Sequence, residues 1–168
     1  MNRWLRILRH RWLDEADARR ALGSAGLERL RALVVAGEKT HTGEIRVCIE
    51  AGLPLSYLWR GATARERALA MFGRLRVWDT EHNNGVLIYL LLAERRIEIV
   101  ADRGLSRRVD GGRWNEIAAG MSQAFRAGRY EEGLAEAIGA VNAALQEHFA
   151  LVDGERNPNE LPDTPVIV

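Results

Sequence analysis

One cysteine, four prolines and no apolar stretch longer than the run from Val86 to Ala93 set the first limits on this chain. A single thiol closes no internal disulfide and furnishes no multi-cysteine metal site, which suits a reducing compartment. Cys48 lies within a strand-like run with no base or anion loop beside it, so a buried, unreactive thiol is expected. The apolar run falls far short of the roughly 20 residues that cross a bilayer. The N-terminus has arginines and tryptophans but neither an uninterrupted apolar segment nor a small-residue cleavage site, and it does not read as a secretory leader. These absences lead to the expectation of a cytoplasmic protein, peripheral at most at the inner membrane. An excess of one charge is also lacking. Twenty-four Lys and Arg against 23 Asp and Glu leave a net charge of +1, so the whole molecule offers no electrostatic reason to bind nucleic acid. No Gly-rich stretch ends in Gly-Lys-Ser or Gly-Lys-Thr, no Gly-x-Gly-x-x-Gly joins a strand to a helix, and no Gly-x-Ser-x-Gly elbow occurs. A nucleotide cofactor and covalent serine hydrolysis are therefore disfavoured.

What is present describes one ordinary globular domain: 168 residues, 47% of them hydrophobic and 28% charged. Met1 to Leu22 reads as a basic amphipathic helix, with Trp4, Leu5, Leu8 and Trp12 at helical spacing and Arg3, Arg6, Arg9 and Arg11 elsewhere. Punctuation at Ser24 and Gly26 precedes a second helix ending near Gly37, and Glu44 to Ala51 alternates as a strand that Pro54 stops. Thr63 and Glu66 form a capping box opening a helix whose expected inward stripe is Ala68, Leu69, Phe72 and Leu75. Val86 to Leu92, apolar on both faces, reads as a central strand pairing antiparallel with Arg96 to Ala101. Trp114, Ile117, Ala118, Met121 and Phe125 trace one helix, and Tyr130 to Phe149 is the last. The order predicts a three-layer α/β/α sandwich around a small mixed sheet. Its divisions are a helix over residues 1–22, an α/β domain over 23–150 and an irregular tail over 151–168.

The best local cluster for chemistry is the polar loop Asp79, Glu81, His82, Asn83, Asn84 and Gly85, which enters the central strand and could aim several oxygens at a hard cation. An ordinary turn accounts for the same residues, with Gly85 supplying permissive dihedrals. Asp102-Arg103-Gly104, at the end of the hairpin partner, either adds a carboxylate and a cation beside a bound anion or forms a solvated salt bridge.

The segments HTGEIRVCIE, WDTEHNNGVLIYLLL, RIEIVADRGL and FRAGRYEEGLAEAI occur in the order and spacing of the TPM-domain family. The chain resembles that family from about Leu27 to Phe149. Its fixed points here are Thr42-Gly43-Glu44-Ile45, Asn84-Gly85-Val86-Leu87 and Phe125, Gly128, Tyr130 and Gly133. The resemblance implies an α/β/α fold, a Ca²⁺ or Mg²⁺ site, weak acid-phosphatase activity and, for some members, association with membrane complexes. Carried over, the metal would fall to Asn83 and, approximately, Asp110, with Asp79, Glu81 and Asp102 as compensating carboxylates of this chain, and a ligand to Asn84, Gly85 and Arg103. The chain departs from the family pattern where Asn83 replaces an aspartate and Ser106 a glutamate, and each lost carboxylate weakens a hard-cation site. Two functions remain open: a non-enzymatic accessory or assembly module docked at a membrane or membrane-associated partner, and a metal-binding domain with weak phosphatase activity. The smaller acidic set and the basic amphipathic N-terminus favour the first.

Overall fold

The computed structural model describes residues 3–152 and 154–168. Two adjacent helices open it: α1 (Arg3–Trp12) and α2 (Glu15–Glu38). The single helix expected to Leu22 is therefore two. Asp14 divides them, because its side chain accepts the Asp17 N–H while Asp17 returns a bond to the Asp14 N–H, a reciprocal cap that starts a new helix. Gly23, at φ 66° and ψ 161°, then bends α2 where a break was anticipated one residue later.

Strand β1 (Ile45–Glu50) follows, then α3 (Leu55–Trp59), α4 (Ala64–Arg74), β2 (Val86–Leu91), a 3₁₀ turn over Leu92–Glu94 and β3 (Arg96–Ala101). Short α5 (Arg103–Ser106), α6 (Gly111–Arg126), α7 (Tyr130–Phe149) and β4 (Val166–Ile167) complete the order. The sheet runs β3-β2-β1-β4, with β1 parallel to β2 and β4, and β2 antiparallel to β3 in the register Val86 to Ala101 through Leu91 to Arg96. The doubly apolar strand lies inside the sheet, as its composition requires.

Alternation along the strands divides the core in two. Ile45, Val47, Ile49, Val86, Ile88, Leu90, Ile97 and Ile99 meet α2, α6 and α7, while Cys48, Leu87, Tyr89, Leu91 and Val100 meet α3 and α4. Each fully buried aliphatic side chain contributes about 1.5–3 kcal/mol, so the two layers stabilise the sheet from both faces. The capping box at Thr63 and Glu66 opens α4 as expected, yet Leu69 is half exposed and Arg67 faces inward instead. Arg67 turns in because buried Glu50 accepts both Nε (2.9 Å) and Nη2 (2.7 Å), with Tyr89 Oη donating to the same carboxylate at 2.6 Å. This satisfied triad explains why β1, read as half polar, is buried along its whole length.

The tail is not irregular throughout. It lies along the β1 edge, pairing Val166 with Cys48 and Ile167 with Ile49, while Ala51 N–H donates to Val168 O at 3.1 Å. Arg46 donates to the carbonyls of Pro162 and Thr164, and Asn157 Nδ2 donates to His41 O at 3.0 Å. A strand of two residues gives no period to read in the sequence; its partners define it.

Candidate functional site

The polar loop before β2 lies at the amino end of that strand, beside the carboxyl end of antiparallel β3. Ligands of open α/β sheets more often gather at the carboxyl ends of the parallel strands. The loop is tied by its own backbone. Asn83 takes the left-handed conformation (φ 52°), its carbonyl accepts Gly104 N–H at 2.8 Å, and Gly85 O accepts Asp102 N–H at 2.9 Å. Gly85 has no positive φ; it is glycine because a Cβ there would collide with the Val77 carbonyl.

Of the anticipated site residues, Asn83, Asn84, Gly85, Asp102 and Arg103 come together. Arg103 Nε donates to Asn83 Oδ1 at 2.8 Å, Arg103 N–H donates to Asp102 Oδ1 at 2.6 Å, and Asn84 Nδ2 donates to Thr42 Oγ1 at 3.1 Å. Asp79 and Glu81 are exposed, and the Glu81 N–H points at the Glu160 carboxylate (3.2 Å). Asp110 stands apart as the exposed N-cap residue of α6. Among the described residues no three His, Cys, Asp or Glu are grouped so as to hold a metal ion. A guanidinium already occupies the Asn83 oxygen, so the loop does not fit a three-carboxylate cation cage. Two oxygens remain unsatisfied there, Asn84 Oδ1 and Asp102 Oδ2, both buried without a hydrogen-bond partner among the described residues.

Four further carboxylates, Glu38, Glu44, Glu160 and Asp163, were not read as site residues from the sequence. Glu38 accepts Ile45 N–H at 3.0 Å, and Glu44 Oε2 accepts Leu161 N–H at 3.1 Å while its Oε1 is buried without a partner among the described residues. Burial, with Glu44 and Asp163 nearby, pushes the Glu38 carboxyl up to about 8. Burial raises Glu44 as well, against the opposing effect of the Glu160 and Leu161 backbone N–H groups of the tail. Glu44 alternates with Ile45 in the sequence as an outward residue would, and only the tail's arrival covers it.

A second candidate lies on α1. Its inner face is locked: His10, 3% exposed, accepts Leu53 N–H on Nδ1 at 2.9 Å, so Nε2 carries the proton and donates to Glu94 at 3.1 Å. Arg6 donates to Glu94 (2.8 Å) and to Ala62 O (2.6 Å). The His10 and Arg6 bonds hold the Glu94 carboxyl down to about 2, against the opposing effect of burial. The apolar stripe faces away. Trp4, Leu5, Leu8 and Trp12 are 64, 60, 55 and 84% exposed, so they do not cover the domain. Leu55 and Trp59 of α3 extend the patch; Trp59 meets the Trp4 ring edge-on (centroids 6.2 Å apart), and the Arg3 guanidinium lies 4.9 Å from the Trp59 ring centre. At helical spacing Arg9 and Arg11 fall on opposite flanks of the stripe. No helix among the described residues is long and apolar enough to cross a membrane.

Comparison with solved structures finds the same fold. The NMR structure of BA42 protein from the psychrophilic bacterium Bizionia argentinensis superposes with a TM-score of 0.75 at 25% identity, covering 88% of this chain and 95% of that one. The solution NMR structure of the N-terminal domain of a P. gingivalis protein gives 0.63 at 25% identity, covering 83% and 94%. No curated protein sequence matches. The profile of the TPM domain matches residues 16–144, which takes in every strand of the sheet except β4 and all of the loop before β2. On that match, and on a sheet and helical cover shared with those structures, the chain belongs to the TPM domain family.

Proposed function

We propose that this chain is a non-enzymatic TPM module that docks reversibly on an anionic membrane surface through α1, as an accessory to whatever assembles there. The observation that carries this reading is the orientation of α1. A helix that merely covered the domain would turn Trp4, Leu5, Leu8 and Trp12 inward; here polar His10 and Arg6 anchor it, and the apolar stripe faces solvent. Tryptophan rings suit the headgroup boundary, and Arg9 and Arg11 near an anionic surface contribute about 1 kcal/mol each. Sedimentation with anionic vesicles should show binding at low salt that falls at high salt, and Leu8→Glu with Trp12→Glu should abolish it without lowering stability. A protein that ignores anionic vesicles at low salt does not dock this way, and a membrane-associated protein then becomes the better occupant.

The unsatisfied Asn84 Oδ1 and Asp102 Oδ2 favour a second reading, in which the loop takes Ca²⁺ or Mg²⁺ and supports weak phosphatase activity, with Arg103 beside the phosphate. Titration with either ion followed by NMR should then move Asp79 to Asn84 together with Asp102. Shifts confined elsewhere would end that reading.

A further inference from the structure

Next to α1 the hairpin turn and α6 enclose an open cavity of about 570 Å³ whose lining includes Arg9, Arg95, Arg96 and Arg126 with Glu94 and Glu98. The carboxylates are committed: Glu94 to Arg6 and His10, Glu98 to Arg96 at 2.9 Å. Arg9 and Arg126 have no side-chain partner among the described residues. Arg95 holds a left-handed conformation (φ 51°) at the turn, a position that suits glycine or asparagine, and its Nη1 is fixed on Arg126 O at 2.7 Å. Three guanidiniums thus keep free donors around one cavity, and an anion bound there would offset the repulsion among them.

We infer that this cavity binds the phosphate monoester headgroup of an anionic lipid, with Arg9, Arg95 and Arg126 as its ligands. The inference rests on docking through α1, because Arg9 belongs both to the cavity lining and to the flank of the exposed stripe. With Arg9 shared between the two, entry of that stripe into the headgroup boundary brings the Arg9 edge of the cavity to the level of the phosphates. Planar guanidiniums pair bidentately with a phosphate, and a dianionic monoester gains more from several of them than a monoanionic diester does.

The test compares vesicles of phosphatidylcholine carrying phosphatidate with vesicles carrying phosphatidylglycerol at equal surface charge. The intact protein should bind the phosphatidate vesicles about tenfold more tightly. Arg95→Asn, which keeps the left-handed turn, combined with Arg126→Gln should erase that preference while leaving binding to phosphatidylglycerol vesicles in place. Leu8→Glu with Trp12→Glu should lose both. Equal affinity of the intact protein for the two vesicles, or a preference that survives the arginine variant, overturns the headgroup site and leaves docking standing. Loss of all vesicle binding by the intact protein defeats docking, and the lipid assignment with it. Soluble glycerol 3-phosphate provides the last arm: saturation as tight as the vesicles give would make the cavity a site for free phosphate esters, against the lipid assignment.

Discussion

The two ends of the chain, both largely outside the span of the family match, are opposites. At the N-terminus, α1 has the pattern of a core helix and turns its apolar stripe to solvent, held by polar bonds of His10 and Arg6 that meet at the Glu94 carboxylate and reach Leu53 N–H and Ala62 O. At the C-terminus, a polar, proline-containing tail without periodicity completes the sheet and covers Arg46 and Glu44. Amphipathic pattern shows that a face wants to leave water, without saying where it goes. Backbone pairing along a sheet edge needs no side-chain pattern at all.

Removing residues 151–168 should break this contrast most severely. It opens the β1 edge, takes both carbonyl partners from Arg46 and leaves Glu44 without Leu161 N–H. A loss of roughly 3 kcal/mol or more in urea unfolding is expected. A truncated chain as stable as the intact one would show the tail to be an ornament of the fold.

Glu94→Ala should detach α1 with a smaller loss, about 1–3 kcal/mol, read as faster hydrogen exchange in α1 while α7 stays protected. Acid sharpens this. The Glu94 carboxyl lies at about 2 in the folded chain against an ordinary value of 4.5, so its contribution is present above pH 4.5 and disappears as pH falls through 2. The variant should lack that acid-dependent release of α1.

Glu38→Gln probes the body beneath the tail in the opposite direction. Its carboxyl is raised from 4.5 to about 8, so the folded chain holds a proton that the unfolded chain has released, and stability falls as pH rises between those values. Gln keeps an oxygen for Ile45 N–H. Thermal unfolding at pH 6 and pH 9 should show the parent losing stability and the variant losing less. The smallest effect belongs to Trp12→Ala, which should change stability by no more than about 0.5 kcal/mol because the ring is 84% exposed. A large loss there would mean that α1 packs as a cover after all.

Local chemistry determined much of the architecture. The Thr63 and Glu66 cap, the doubly apolar run from Val86 and its short turn into Arg96 specify a helix, an inner strand and a hairpin, since each depends on neighbours a few residues away. Cys48 in the middle of a strand was equally readable: it is fully buried, and burial pushes its thiol up to about 12. Of the loop before β2, the gathering of Asn83, Asn84, Gly85, Asp102 and Arg103 follows from the hairpin register, whereas the distant placing of Asp110 and the exposure of Asp79 depend on how α6 and the turn after α4 pack. Only the tertiary structure could decide which way α1 faces, because Glu94 lies 84 residues from His10 and no local rule couples them. The burial of Glu44, Arg46 and Glu50 was likewise decided by partners from the tail and α4, 17 to 118 residues away, whose bonds offset the desolvation that sequence pattern alone would forbid.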